Sequence, residues 1–129
     1  MSIRIVRLGS PRHPGEGLRI GTVRRPPRGV PKTEFASQDW YDVWYPNLAP
    51  SVEAMKEALA AETPAQWTAF TRRFRREMAE PDASRSLDLL AALSHQGAMA
   101  LGCYCADESH CHRSVLRALL EERGADLAG

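Results

Sequence analysis

The chain has 129 residues, 43% of them hydrophobic and 26% charged, with a formal net charge of +1. That length suits one domain able to bury a core without disulfide staples, and the balance excludes both a disordered chain and one that binds nucleic acid through bulk charge. The start of the chain lacks the continuous apolar run of a signal peptide and no segment approaches bilayer-spanning length, so the expectation is a cytoplasmic protein with no membrane contact.

Ile3 to Leu8 reads as a first strand that stops at Gly9-Ser10-Pro11, and Leu18 to Val23 as a second, broken by Pro26-Pro27-Arg28-Gly29. Residues 26–50 are rich in proline and aromatics with little helical period, which predicts an ordered functional loop rather than a linker. Ser51 can cap a helix running to about Glu62, on which Val52, Met55 and Leu59 recur at helical spacing. Thr63-Pro64-Ala65-Gln66 is a capping-box signature with proline at the first helical position, and Trp67, Phe70, Phe74 and Met78 follow on one stripe.

Pro81-Asp82 breaks that helix, and Leu87, Leu90, Ala91 and Leu93 carry a third one toward a cap at Gly97. Ala98 to Cys103 is short and apolar, as a buried strand would be. A last helix, placed over 111–123, bears Val115, Leu116, Leu119 and Leu120 and stops at Gly124. Helices lying between strands predict a small α/β layered domain over residues 1–129, with a short, at least partly parallel sheet flanked by helices.

Cys103, Cys105, His110, Cys111, His112 and Arg113 crowd the junction between the strand at 98–103 and the last helix, and all three cysteines of the chain are among them. In a reducing compartment an odd, clustered set of thiols points away from a structural disulfide framework. Alternation puts Cys103 and Cys105 on one side of the strand end. Cys111 and His112 are expected in the first turn of the last helix, where free backbone amides and the dipole favour an anion. Cys111 is then the candidate nucleophile, with His112 or His110 as its acid/base and Arg113 as an anion grip.

The rival reading is zinc held by Cys103, Cys105, Cys111 and His112, although the C-x-C spacing departs from common zinc pairs. A third is plain packing of buried thiols.

Elsewhere, Arg24, Arg25, Arg28 and Lys32 sit in a proline-stiffened turn that can aim cations at an anion. Trp40, Tyr41, Trp44 and Tyr45 with Asp39 and Asp42 suit loop packing or a stacking wall. Arg73 with Glu77 and Arg76 with Glu80 stand at helical salt-bridge spacing, so the arginines at 72–76 read as a solvated face and only weakly as a nucleic-acid contact.

On Arg25-Pro26-Pro27-Arg28-Gly29, on Trp44 followed by Leu48-Ala49-Pro50-Ser51, on Trp67 with Phe70, and on the segment from Cys105 to Arg113, the chain resembles the YeaO-like family, domain of unknown function 488. The resemblance covers nearly the whole chain and implies a cytosolic α/β domain of Rossmann-like character with no established activity. Members of that family often carry an Asn-His pair where this chain has Cys111-His112, so Cys111 resembles the wider family's Cys-His-Arg version, which moves weight from the thiol toward His112 and the loop from Arg25 to Arg28.

The expectation is a small thiol- and histidine-dependent enzyme. Its ligand is phosphate-bearing or otherwise anionic, a nucleotide or nucleic-acid end among the options, held by Arg25, Arg28, Ser51, Trp44 and Cys105 with no cofactor. The alternative is a non-catalytic binding module with a Cys/His zinc site.

Overall fold

A computed structural model describes residues 2–128. Strands β1 (Ile3–Arg7), β2 (Leu18–Gly21) and β3 (Val43–Trp44) precede helices α1 (Val52–Ala60), α2 (Pro64–Met78) and α3 (Pro81–Leu93). Strand β4 (Met99–Cys103), helix α4 (His112–Glu122) and strand β5 (Leu127–Ala128) complete the order. The strands form one sheet in the order β3-β2-β4-β1-β5, and every ladder in it is parallel. The fold is therefore α/β, with β4 at the centre. No described helix is long and apolar enough to cross a membrane.

Side-chain alternation divides the sheet into two unlike faces. Ile3 opposes Met99 and Ile20 opposes Leu101, so these four point the same way. They share a buried cluster with Ala54 of α1, Phe70, Phe74 and Met78 of α2, Leu87 and Leu90 of α3, and Leu116 and Leu120 of α4. Burial of each such large side chain stabilises by about 1.5 to 3 kcal/mol. Phe70 and Phe74 stack with centroids 5.9 Å apart.

The opposite face is covered by loops. Parallel neighbours cannot be joined by a tight hairpin, and the connections at 8–17 and 22–42 contain no α-helix, so they run back over the sheet themselves. Small residues let them lie close: a Cβ on Gly102 would sit 2.6 Å from a Leu8 methyl, and one on Gly21 would collide with the Tyr41 ring.

Arg19, fully buried on this face, grips the Glu16 carboxylate with Nε and Nη2 at 2.8 and 3.0 Å. Its Nη1 donates to the carbonyls of Ser10 (2.9 Å) and Asp39 (2.7 Å). One guanidinium thus ties both loops to β2.

Several local details differ from expectation. α3 ends at Leu93 with Ser94 as its C-cap, one turn before Gly97, because the buried Ser94 hydroxyl takes up the Ala91 carbonyl at 2.6 Å. The loop at 26–50 contains the short strand β3 and two 3-10 turns. The pairs Arg73 with Glu77 and Arg76 with Glu80 do not form: Arg73 meets Glu57 of α1, Arg75 meets Glu122 of α4, and Glu77 turns to Ser51. Packing of α2 between two helices offers these side chains partners closer than their own next turn. The capping box of α2, with Thr63 and Gln66 reciprocally bonded and Pro64 at the first position, stands as the sequence predicts.

Candidate functional site

The carboxyl ends of β2 and β4 lie side by side, at the edge where parallel α/β sheets open a ligand crevice. Here a cleft of about 680 Å³ opens. Cys103, Cys105 and His112 face it, joined by Trp40 and Tyr104, whose rings meet edge-on with centroids 5.9 Å apart. Val52, Met55 and Leu59, the spaced apolar residues of α1, also line the cleft rather than the core, to which α1 contributes the buried Ala54 and the half-buried Ala58. Leu59 is 81% exposed. Arg25, Arg28 and Lys56 line it too, and among the described residues their side chains donate to no protein acceptor.

The basic turn owes its position to its neighbours. Arg24 donates to the carbonyls of Ala49 and Pro50, the latter at 3.1 and 2.9 Å, which fastens the turn to the start of α1. The Tyr104 hydroxyl donates to the Arg25 carbonyl at 2.8 Å. Two tethers therefore hold the backbone while the Arg25 and Arg28 side chains stay uncommitted.

The residues leading into α4 fold differently from expectation. Glu108–His110 form a 3-10 turn, and Cys111 follows in extended conformation (φ −136°, ψ 151°) as the N-cap of α4, so it lies outside the helix. That backbone brings Cys111 and His112 together, with Sγ 3.7 Å from Nδ1. His112 Nε2 lies 2.7 Å from the Thr22 carbonyl and 3.2 Å from its hydroxyl. A carbonyl only accepts, so Nε2 carries the hydrogen and the Nδ1 lone pair faces the Cys111 thiol. The Phe74 ring meets the imidazole edge-on at 5.6 Å. His110 instead turns outward, with Nδ1 3.2 Å from Asp107 and its ring against Trp67.

The three sulfurs gather around Arg113. Cys103 and Cys111 are 1% and 2% exposed, whereas Cys105 is half-buried and reaches the cleft. The neighbouring Cys103 and Cys111 thiols hold the Cys105 thiol far below the ordinary thiol range, against burial and with help from the Arg113 charge. Its sulfur neighbours Cys105 and Cys111, together with burial, push the Cys103 thiol up. Cys111 is lowered, chiefly by Cys103 and further by His112.

Arg113 is 3% exposed; its Nη2 donates to the Cys105 carbonyl at 2.6 Å and its Nε is buried without a partner. It stands behind the thiols, not on the cleft wall.

A soft donor set is also present. The ligating atoms of Cys103, Cys111 and His112 lie within 4.8 Å of one another, so these residues could hold a metal ion, with Cys105 adjacent. Thiolates and imidazole suit zinc, and the Thr22 carbonyl supplies the outer-shell bond that orients a ligating histidine.

Two of the sequence candidates stand elsewhere. Ser51 caps α1 by accepting from the Ala54 amide, and both its hydroxyl and its amide donate to Glu77, so neither is free for an anion. Trp44 lies on β3 and spends its indole N–H on the Val23 carbonyl at 2.8 Å; the ring in the cleft is that of Trp40. Sequence reasoning missed Thr22, Tyr104 and the cleft-facing side of α1. Only the last had a signal, an apolar stripe on a short helix.

Among known proteins, a family model described as the active DUF488-N3 subclade matches residues 3–124. No curated protein and no solved structure matches the chain.

Proposed function

The chain belongs to the DUF488 family, and we propose that it is a small thiol- and histidine-dependent enzyme acting on a phosphate-bearing or otherwise anionic ligand bound in this cleft. The observation that carries this reading is the cleft's division of labour. Uncommitted Arg25 and Arg28 stand at its rim, apolar side chains of α1 and the Trp40 ring form its walls, and thiols with His112 form its floor. Guanidinium groups grip a phosphate or carboxylate with paired hydrogen bonds. The walls suit a flat or apolar body between the anion and the reacting atom.

At the floor, His112 Nδ1 accepts the proton of Cys111. Cys103 donates in turn to Cys105, the sulfur that ligand reaches. A nucleophile oriented by a base that is itself oriented by a third group, here the Thr22 carbonyl, is the recurrent plan of thiol catalysis.

Calorimetric titration with adenosine 5′-monophosphate and with inorganic phosphate tests the anion site. Arg28→Ala should weaken adenosine monophosphate binding about 10- to 100-fold, as the loss of a charge-assisted bond of about 1.5 to 3 kcal/mol requires. Absence of binding, or equal binding by the variant, overturns the reading.

The second reading, a non-catalytic zinc module, is favoured by the convergence of Cys103, Cys111 and His112. Weighing for the thiol enzyme is Arg113, a fixed positive charge already set against the same sulfurs. Metal analysis of protein purified without a histidine tag separates the two: stoichiometric zinc, lost together with the fold when Cys103 is replaced, supports the module.

A further inference from the structure

Two features exceed what a single thiol nucleophile needs. Three cysteines gather where one would serve: the Cys103 and Cys111 sulfurs are buried within 4.8 Å of each other, and Cys105, two residues on from Cys103, is half-buried and opens to the cleft. Beside them the Arg113 Nε–H is buried with no acceptor, a donor whose desolvation costs free energy until an oxygen arrives to take it.

We propose that Cys105 and Cys111 are an attacking and a resolving thiol that together reduce an organic hydroperoxide. The Cys105 sulfur attacks the terminal peroxide oxygen, and the O–O bond breaks. The alkoxide departs and takes up a proton from solvent as an alcohol, leaving Cys105 as a sulfenic acid whose oxygen can accept from Arg113 Nε. Cys111 sulfur then attacks the Cys105 sulfur, the S–S bond forms, and hydroxide leaves with the Cys111 proton as water. A dithiol reductant restores both thiols by exchange.

Cys103 is the poorer resolving partner, because it is two residues from Cys105 on an extended chain end, where disulfide geometry is strained. The choice of an organic peroxide rests on the cleft of the preceding section, whose apolar wall at Leu59 and Met55 suits a hydrocarbon body. The anion site is not needed.

The experiment mixes the reduced full chain with cumene hydroperoxide, without phosphate, and follows peroxide loss and the thiol pairing by peptide mass spectrometry. Stoichiometric consumption with a Cys105–Cys111 link is expected. Cys111→Ser should still consume peroxide but stop at a sulfenic acid on Cys105 that dimedone traps, and Cys105→Ser should slow consumption by about tenfold or more.

Consumption no faster than by free cysteine, a Cys103–Cys111 link instead, or undiminished consumption by Cys105→Ser overturns the proposal. Where a variant folds poorly, the pairing map of the unaltered chain decides alone. Failure to bind phosphate with the disulfide formed sinks only the anion site, and phosphate binding without the disulfide sinks only this proposal.

Discussion

Replacing Arg19 by methionine tests whether the loop-covered face of the sheet is held by one buried ion pair. Arg19 is fully buried and Glu16 is 5% exposed. Removing the cation therefore strands a carboxylate in a nearly dry site, at a cost of about 3 to 5 kcal/mol. At about 3 to 5 °C per kcal/mol for a domain of this size, the melting temperature should fall by about 10 to 20 °C.

The pH profile carries a sharper signature. Burial pushes the Glu16 carboxyl up, but the hydrogen bonds from Arg19 and the His13 amide outweigh it, so its folded pKa lies below the ordinary value. In the unaltered chain its contribution is present above the unfolded carboxylate pKa, about 4.3, and is lost as pH falls through the lower folded pKa. In Arg19→Met burial stays and the cation is gone, so the folded pKa rises above the unfolded one and the sign reverses: stability is regained as pH falls through the raised pKa.

Thermal unfolding followed by circular dichroism from about pH 2 to 7 reads both effects. A loss below about 1 kcal/mol, or variant and parent profiles of the same slope, refutes the reasoning. Adding Glu16→Gln should remove the reversed dependence.

Two further outcomes follow from the same geometry. Leu59→Ser should leave stability within about 0.5 kcal/mol, since the side chain is exposed. It should weaken adenosine monophosphate about fivefold without affecting inorganic phosphate, as loss of roughly 1 kcal/mol of apolar contact predicts in calorimetry. Gly17→Ala should cost about 2 to 6 kcal/mol in denaturant unfolding, because φ is +82° and a Cβ there would strike the Ala98 carbonyl. A cost under 1 kcal/mol, on that same strain argument, would show that the loop shifts freely.

Element order was legible wherever a residue pattern ran long enough to carry a period. Thr63, Pro64 and Gln66 announce α2, and the apolar run before Cys103 announces the central strand. β3 and β5 were not legible, because two-residue strands have no alternation to read.

The junction at Cys103 to Arg113 was visible as a site, but not its inner geometry. Glu108–His110 take up a 3-10 turn, so the helix begins one residue later than composition suggests and Cys111 stays extended. Spacing told that Val52, Met55 and Leu59 share a face, but not that the face meets a cleft instead of the core. The choice between Trp44 and Trp40 depended on a long-range hydrogen bond to Val23, which no local pattern encodes.

The electrostatic state of the site follows from Arg113 more securely than from any thiol taken alone. A guanidinium does not lose its charge in a protein, and burying it costs several kcal/mol unless an anion shares the site. Arg113 is 3% exposed and, among the described residues, donates only to the Cys105 carbonyl. The neighbouring carboxylate, Glu108, is already gripped by Arg117 at 2.7 and 3.0 Å.

The remaining counter-charge is sulfur, and of the three sulfurs Cys105 is the one whose thiol is held furthest below its ordinary range and that lies half-buried at the cleft. The buried cation thus selects an ionised thiol at the cleft floor, and an arriving anion would compete for it. A protein in which all three cysteines are replaced by alanine should accordingly leave Arg113 uncompensated and unfold more readily. Added Arg113→Met should recover part of that loss in thermal melts. No recovery would mean that the guanidinium finds its anion elsewhere.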